Sequence, residues 1–367
     1  MTINWKHMLQ TALLGGSLVA LAACGSDTNT SEAAIDPDNL TLEEIEEKAQ
    51  EEGEVNSVGM PDSWANWKGT WDDLNEEYGL EHVDTDMSSA EEIAKMESEG
   101  ENATADIGDV GISFGPIAKD KEITMPYKTS YWDDVPDWAK DDEGHWLVGY
   151  QGTIAFIVDK DQVDEVPTSW DDLLTGDYEV MVGDVSTGTQ SQMAVLAAAI
   201  ANGGDETNLQ PGIDFFAELA EKGNLSTANN LSIAGMETGE LEVGIMWDFN
   251  GLSYADAVDS EQYEVVIPEE GSVISGYATI LNKYAPNPHA AMLAREYILS
   301  DEGQINLARG FARPIRDNVD LPAEVEEQMI PTEQYENAQP VGDHTAWEET
   351  AQELPQLWQK EVLIHVQ

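Results

Sequence analysis

The chain has 367 residues, 41% of them hydrophobic, which is enough for two domains with sizeable cores. Acidic residues number 73 against 16 basic ones, a formal net charge of −57, and a surface this negative excludes nucleic acid as a partner and repels anionic lipid headgroups. The lone cysteine, Cys24, excludes an internal disulfide, so burial and hydrogen bonding must hold the fold. The negative charge is spread along the whole chain, as on a solvated acidic face adapted to a salty or alkaline exterior. Stability is therefore expected to rise as salt screens self-repulsion; a melting temperature that does not move with salt would contradict this.

In chain order, a polar start with Lys6 leads into an uncharged apolar run, Leu13 to Ala23, that ends in Leu21-Ala22-Ala23-Cys24. This is the layout of a secretory signal peptide, and the run is too short to span a membrane. Residues 24–37 read as a polar tether. A helix follows at Leu42–Glu52, with Thr41 as its cap. Strands are expected at Glu54–Gly59, Leu80–Thr85 and Ala105–Val110, with helices at Trp67–Tyr78 and Ser88–Glu99 between them. This βαβαβ order implies a parallel sheet with helices on both faces. Trp146–Asp159 is a strand long enough to cross between lobes. Then come a helix at Ser169–Leu174, a strand at Tyr178–Asp184, and helices at Gln190–Ala201 and Ile213–Glu221. Strands at Leu241–Trp247, Tyr263–Ile267 and Tyr277–Asn282 precede the helices Pro288–Leu299 and Asp301–Ala308. The last fifty residues look helical and amphipathic. No internal repeat is visible.

Several motifs resemble a known family. The lone cysteine after Ala-Ala resembles the lipobox of bacterial lipoproteins, which implies lipid attachment at Cys24 and tethering to the outer face of the cytoplasmic membrane. Pro167-Thr-Ser-Trp-Asp-Asp-Leu-Leu174 with Gly183-Asp184 looks like the segment entering the second lobe of bacterial solute-binding proteins. Ala285-Pro-Asn-Pro-His-Ala-Ala291, Ile298-Leu-Ser-Asp-Glu-Gly-Gln304 and Arg313-Pro314 resemble the C-terminal part of family 1 extracellular solute-binding proteins, whose members deliver polyamines, ferric iron, thiamine or phosphonates to ABC importers. The resemblance runs from about Glu54 to Arg316. It implies an α/β, two-lobed periplasmic-binding-protein-like fold, each lobe a sheet flanked by helices and hinged by crossover strands. The lobes are expected over 38–150 plus 270–320 and over 151–269 plus 321–367. It also implies a monomer that needs no cofactor, performs no catalysis, and partners with a small solute and an ABC permease.

A receptor of this kind needs polar groups at strand ends facing a cleft. Five such loops are expected: Met60–Asn66, with Asp62, Ser63 and Trp64; Asp109–Ser113; Asp184–Gln190, with Ser186, Thr187 and Thr189; Trp247–Asn250, with Asp248; and Ser272–Tyr277. Carboxylates beside tryptophan and tyrosine faces suit a desolvated ammonium. Trp247-Asp248 resembles the tryptophan-led ligand loop of polyamine receptors. The later Trp-x-Asp of that subgroup is replaced by Val273-Ile-Ser-Gly-Tyr277, and the adjacent tyrosine pair of ferric-iron receptors is missing. A cationic amine is therefore one expectation; an oxyanion at the helix start after Ser186, near the arginine cluster that includes Arg313, is the other. The arginines themselves are expected to pair with carboxylates. Gly183-xxxx-Gly188 has phosphate-loop spacing, but Thr189 stands where that loop needs lysine. An enzyme alternative rests on Gly111-Ile-Ser113-Phe-Gly115, a nucleophile-elbow pattern in which Ser113 would work with a later His such as His289. A surface sensor or co-receptor is a third alternative. The six histidines show no metal-ligand spacing.

Overall fold

Helix α1 (Leu42–Glu52) starts where Thr41 Oγ1 accepts the Glu44 amide at 3.3 Å and the Glu44 carboxylate accepts the Thr41 amide at 2.9 Å. This reciprocal cap satisfies two amides that the helix itself leaves unpaired. Gly53, at φ 73°, ends the helix in the left-handed region that glycine enters without strain. The protein is seen here in a computed structural model that describes residues 40–186, 188–228 and 230–366. The expected signal segment, the tether with Cys24, and Thr187 lie outside these residues.

The first half continues with β1 (Glu54–Val58), α2 (Trp67–Tyr78), β2 (Glu81–Thr85), α3 (Ser89–Glu99), β3 (Ile107–Gly111) and α4 (Phe114–Asp120). Strand β4 (Trp146–Asp159) leads into α5 (Trp170–Thr175), β5 (Val180–Met181), α6 (Thr189–Ala201), α7 (Gln210–Lys222) and α8 (Ile233–Glu237). Next come β6 (Val243–Trp247), α9 (Asp248–Val258), β7 (Tyr263–Val266) and β8 (Ser272–Leu281). The chain finishes with α10 (Pro288–Leu299), α11 (Asp301–Arg309), β9 (Arg313–Pro314), α12 (Ala323–Glu326), β10 (Ala338–Pro340) and α13 (His344–Glu361).

The strands join in the order β2-β1-β3-β8-β4-β6-β5, with β10 on β8 and both β7 and β9 on β4. β1 is parallel to β2 and β3, as the βαβαβ order requires, but β8 runs antiparallel to both β3 and β4, so the sheet is mixed. Trp146 to Thr153 of β4 pair with β8, while Ile154 to Asp159 pair with β6 and β7. One strand thus serves both halves of the sheet, and β8 lies beside it where they join. Helix α6 sits between layers with Met193 to Ala199 wholly buried, which explains its lack of a polar face. At the C-terminus α13 docks on α7, with Trp358 edge-on to Phe216 at 5.1 Å.

Four expectations change. The segment Ser272–Tyr277 belongs to β8 and is not a loop, because small residues are what the crowded join with β4 admits: a Cβ on Gly276 would stand 2.5 Å from Val148. Trp247-Asp-Phe-Asn250 is no loop either, since Asp248 opens α9. The strand expected over Tyr178–Asp184 is reduced to Val180–Met181, and Asp109 lies inside β3, not after it.

Candidate functional site

Four aromatic rings meet where β4 and β8 lie side by side. Tyr150 and Tyr277 are register partners on these strands, and their rings stack with centroids 5.6 Å apart and planes 8° from parallel. Phe249, from the first turn of α9, sets its ring edge-on to Tyr150 at 5.7 Å. Trp64, from the loop after β1, meets Tyr277 at 5.5 Å and Phe249 at 5.3 Å, both edge to face. The cluster therefore joins side chains from the two halves of the sheet and from both strands at the join.

The backbone around each ring accounts for its position. Trp64 sits in a tight turn, its amide on the Pro61 carbonyl at 3.0 Å and its carbonyl on the Trp67 amide at 2.9 Å. Ala65 and Asn66 follow at φ 46° and 55°, a left-handed conformation that costs an alanine about 1 kcal/mol. Asn66 holds the turn by donating its Nδ2 to Asn306 on α11, at 2.8 Å to the side-chain oxygen and 3.0 Å to the carbonyl. Phe249 lies on Gly152 of β4, where a Cβ would come within 2.6 Å of its ring. Gln190 Oε1 accepts the Trp247 amide at 3.0 Å and Asn250 Nδ2 at 3.1 Å, tying the start of α9 to α6.

A polar chain runs beneath the rings. Trp64 Nε1 donates to the Tyr150 hydroxyl at 2.6 Å, and that hydroxyl donates to Asp109 Oδ2 at 2.8 Å. Asp109 is buried, and burial pushes its carboxyl up to about 8, against the opposing pull of the Tyr150 hydroxyl and the nearby Trp67 indole. Asp248 is buried too, and burial raises its carboxyl. Its oxygens are engaged structurally: Oδ1 accepts the Thr153 and Phe249 amides, each at 2.9 Å, and Oδ2 accepts the Tyr335 hydroxyl at 2.7 Å. The Arg313 guanidinium stacks over the Tyr335 ring at 4.1 Å.

Of the residues expected from sequence, Trp64, Asp109, Trp247 and Tyr277 converge here, with Asp248 and Arg313 on the Tyr335 side. Asp62 and Ser63 are exposed on the turn beside Trp64. Asp184 and Ser186 are exposed on the loop before α6, where Asp184 Oδ1 accepts the Ser186 amide at 2.8 Å. Thr189 opens α6 and faces Gly111 at the end of β3, its methyl 3.6 Å from where a Cβ would stand. Ser113 precedes α4 at φ −62° and ψ −21°, ordinary helical backbone and not a strained elbow, and His289 is engaged by Glu52 at 2.6 Å. Sequence reading missed Tyr150 and Tyr335, the first because it sits in an apolar stretch that reads as core; Phe249 and Gln190 lie inside two of the expected loops without being singled out there.

The arginines also depart from expectation. Among the described residues Arg316 is the arginine that forms carboxylate ion pairs, with Asp134 and Asp301; Arg295 is buried on carbonyl oxygens and Arg313 rests on a ring. Among the described residues one group, Asp141, Glu143 and His145, has metal-ligand proximity, and Lys119 already pairs with both of its carboxylates at 2.7 Å. A cleft of about 540 Å³ lined by Glu264, Glu269, Glu333 and Glu336 shares no residue with the rings. Stacked aromatic faces over a carboxylate without a basic partner can hold an organic cation, through cation–π contacts of about 0.5–2 kcal/mol each and charge pairing.

The fold is that of two-lobed periplasmic binding proteins. An ABC transporter protein from Clostridium perfringens superimposes with a TM-score of 0.63 at 21% identity, covering 84% of this chain and 99% of that one. The periplasmic binding protein AfuA from Actinobacillus pleuropneumoniae, solved with fructose-6-phosphate bound, gives 0.64 at 19% identity over 84% and 98%. The spermidine/putrescine ABC transporter substrate-binding protein PotD from Streptococcus pneumoniae gives 0.65 at 17% identity over 84% and 99%. Comparison with the curated proteins finds no match. The bacterial extracellular solute-binding protein family matches residues 102–338, most of the chain, and these comparisons together make the protein a member of that family, an extracytoplasmic substrate-binding protein of the ABC transporter class.

Proposed function

We propose that the protein captures a small organic cation, an amine of the polyamine class, and presents it to a membrane permease. The observation that carries this reading is the ring cluster of Trp64, Tyr150, Tyr277 and Phe249 above the buried Asp109 carboxylate. Capture would proceed by hinge closure. The solute bridges Trp64 on one side and Phe249 on the other, β4 and β8 act as the hinge, and differential contact stabilises the closed form. Lipid attachment at Cys24 would keep the receptor beside its permease; among the described residues no helix is long and apolar enough to cross a membrane. No catalytic step is part of this reading.

An oxyanion at the start of α6 is less well supported, because the exposed Asp184 carboxylate already takes the Ser186 amide there. Thermal melting at matched ionic strength against spermidine, 4-aminobutyrate, fructose-6-phosphate, phosphate and ferric citrate separates the readings. A ligand at 100-fold its dissociation constant adds about 2.7 kcal/mol. Spermidine is expected to raise the melting temperature; a shift with phosphate or the sugar phosphate alone would move the site to the α6 start and Arg313.

A further inference from the structure

We propose that cation capture by this receptor is proton-linked: when an ammonium enters the ring cluster, Asp109 gives up one proton to solvent. The inference rests on the cationic-solute reading above and adds to it a coupling that the geometry supports separately. Asp109 is 2% exposed, Oδ2 has the Tyr150 hydroxyl as its donor, and Oδ1 has no partner in hydrogen-bond geometry. Among the described residues no lysine, arginine or histidine forms an ion pair with it.

Among the groups facing Asp109 from neighbouring elements none supplies a positive charge, and Asp84 makes its ionisation harder. Glu92 on α3 is itself 1% exposed, with Oε2 unpartnered, and it is wedged against Gly59 and Gly108, where a Cβ would stand 2.3 and 2.7 Å from its oxygens. Burial first, and then the charge Asp109 would carry when ionised, hold the Glu92 carboxyl well above the carboxylate range. Asp84 on β2, held by Ser57 Oγ at 2.6 Å and the Met60 amide at 3.0 Å, adds a further carboxyl. Tyr150 and Tyr277 contribute neutral phenols, both pushed up by burial. The Trp67 indole on α2 is neutral, and its N–H stands near Asp109 but outside hydrogen-bond geometry. The nearby imidazole, His82, stacks on Trp71 at 3.9 Å and is pulled down to about 4 by burial, so at neutral pH it offers no positive charge. A carboxylate without a counterion in such surroundings is costly, and the group keeps its proton instead.

An ammonium among the rings changes that balance. It stands one hydroxyl away from Asp109, through Tyr150, in a medium where charges act strongly. The exchange is R–NH3⁺ with Asp109–COOH giving R–NH3⁺ with Asp109–COO⁻ and a free H⁺; no electrons move. The amine's own proton stays in place, because alkylammonium groups titrate near 10.4. Affinity should then rise about tenfold per pH unit below the point where Asp109 ionises by itself, and level off above it.

The test is titration calorimetry of spermidine at pH 7 in two buffers of different ionisation enthalpy. About one proton released per spermidine is expected, falling to none near pH 9.5. Glu92→Gln should keep the release and Asp109→Asn should lose it. Spermidine binding with no buffer dependence, or an unchanged release in Asp109→Asn, overturns the proposal while the cation reading stands. A second measurement needs no ligand. A carboxyl whose folded pKa lies above its unfolded value lends stability that is lost as pH rises from about 4 to about 8. Wild type should therefore lose stability against Asp109→Asn across that window; parallel curves overturn the proposal whatever the amine does. Failure of every amine to bind would bring down the cation reading and the coupling with it, and the ligand-free curves would still show whether Asp109 carries a proton.

Discussion

Arg295→Met is expected to cost the fold about 5 kcal/mol or more, which in many preparations would read as failure to accumulate folded protein. Arg295 is 0% exposed on α10. Its Nε donates to Thr279 Oγ1 at 3.0 Å, one terminal nitrogen to the Tyr127 and Gly144 carbonyls at 3.1 and 3.0 Å, and the other to the Thr279 carbonyl at 2.7 Å. Burial pulls its pKa down to about 9, and the carbonyl oxygens are what keep the charge tolerable. Methionine fills most of the volume but removes four hydrogen bonds to a charged donor, each worth roughly 1.5–3 kcal/mol, although the Gly144 carbonyl keeps the Tyr127 amide and Thr279 Oγ1 keeps its bond to the Leu147 carbonyl. Chemical denaturation of Arg295→Met and of Arg295→Lys checks this. Lysine retains a charge but not the fork, so it should recover only part of the loss; wild-type stability in either variant would remove Arg295 from the fold's main supports.

Asp109→Asn is expected to weaken spermidine binding by about 100-fold at pH 8. Losing one partner of a desolvated charge pair costs about 3–5 kcal/mol, offset here because asparagine still accepts from Tyr150. The same substitution should raise stability at that pH, since it removes a buried acid that ionises at a cost. Opposite signs in binding and stability are the signature of a carboxyl kept for its ligand. Calorimetry and melting on one preparation read both; equal spermidine affinity in the variant would place the cation elsewhere.

How much of this was legible from sequence depended on the range of the interaction. Thr41 with Glu44, Ser88 with Glu91 and Ser169 with Asp172 are caps that act over three residues, and the helices they open stand within a residue of expectation. Trp146–Asp159 is as long as its apolar run suggested, because both of its faces are buried. β8 was read short because Ser272, Ser275 and Gly276 look like turn residues. They are there for fit: Ser272 Oγ donates to the buried Ile154 carbonyl, and Gly276 lets β4 come close. α9 was missed for the reverse reason: Asp248-Phe-Asn-Gly251 reads as a turn, yet Asp248 is the first residue of a helix, its Oδ1 accepting the Phe249 amide, and Gly251 makes room for Val265. The site was visible only as scattered polar loops. Tyr150 reaches Asp109 across 41 positions and Trp64 reaches Tyr150 across 86, and no local pattern encodes such contacts. What the sequence did carry was the pairing of a tryptophan and a carboxylate near strand ends: Trp64 and Asp109 come together through Tyr150, while Asp62 and Asp184 are exposed on their loops.

The most direct measurement of the account is a side-by-side calorimetric titration of spermidine into wild type and Trp64→Ala at one ionic strength. Trp64 is the side chain that carries the first half of the sheet into contact with Phe249 of the second, and its removal leaves the carboxylates untouched. Losing the ring face and its hydrogen bond to Tyr150 should cost about 1–3 kcal/mol of binding, an affinity roughly 5- to 150-fold weaker at one site per chain. Equal affinity in the two proteins, or no saturable heat from any amine in wild type, would contradict capture of a cation between these rings.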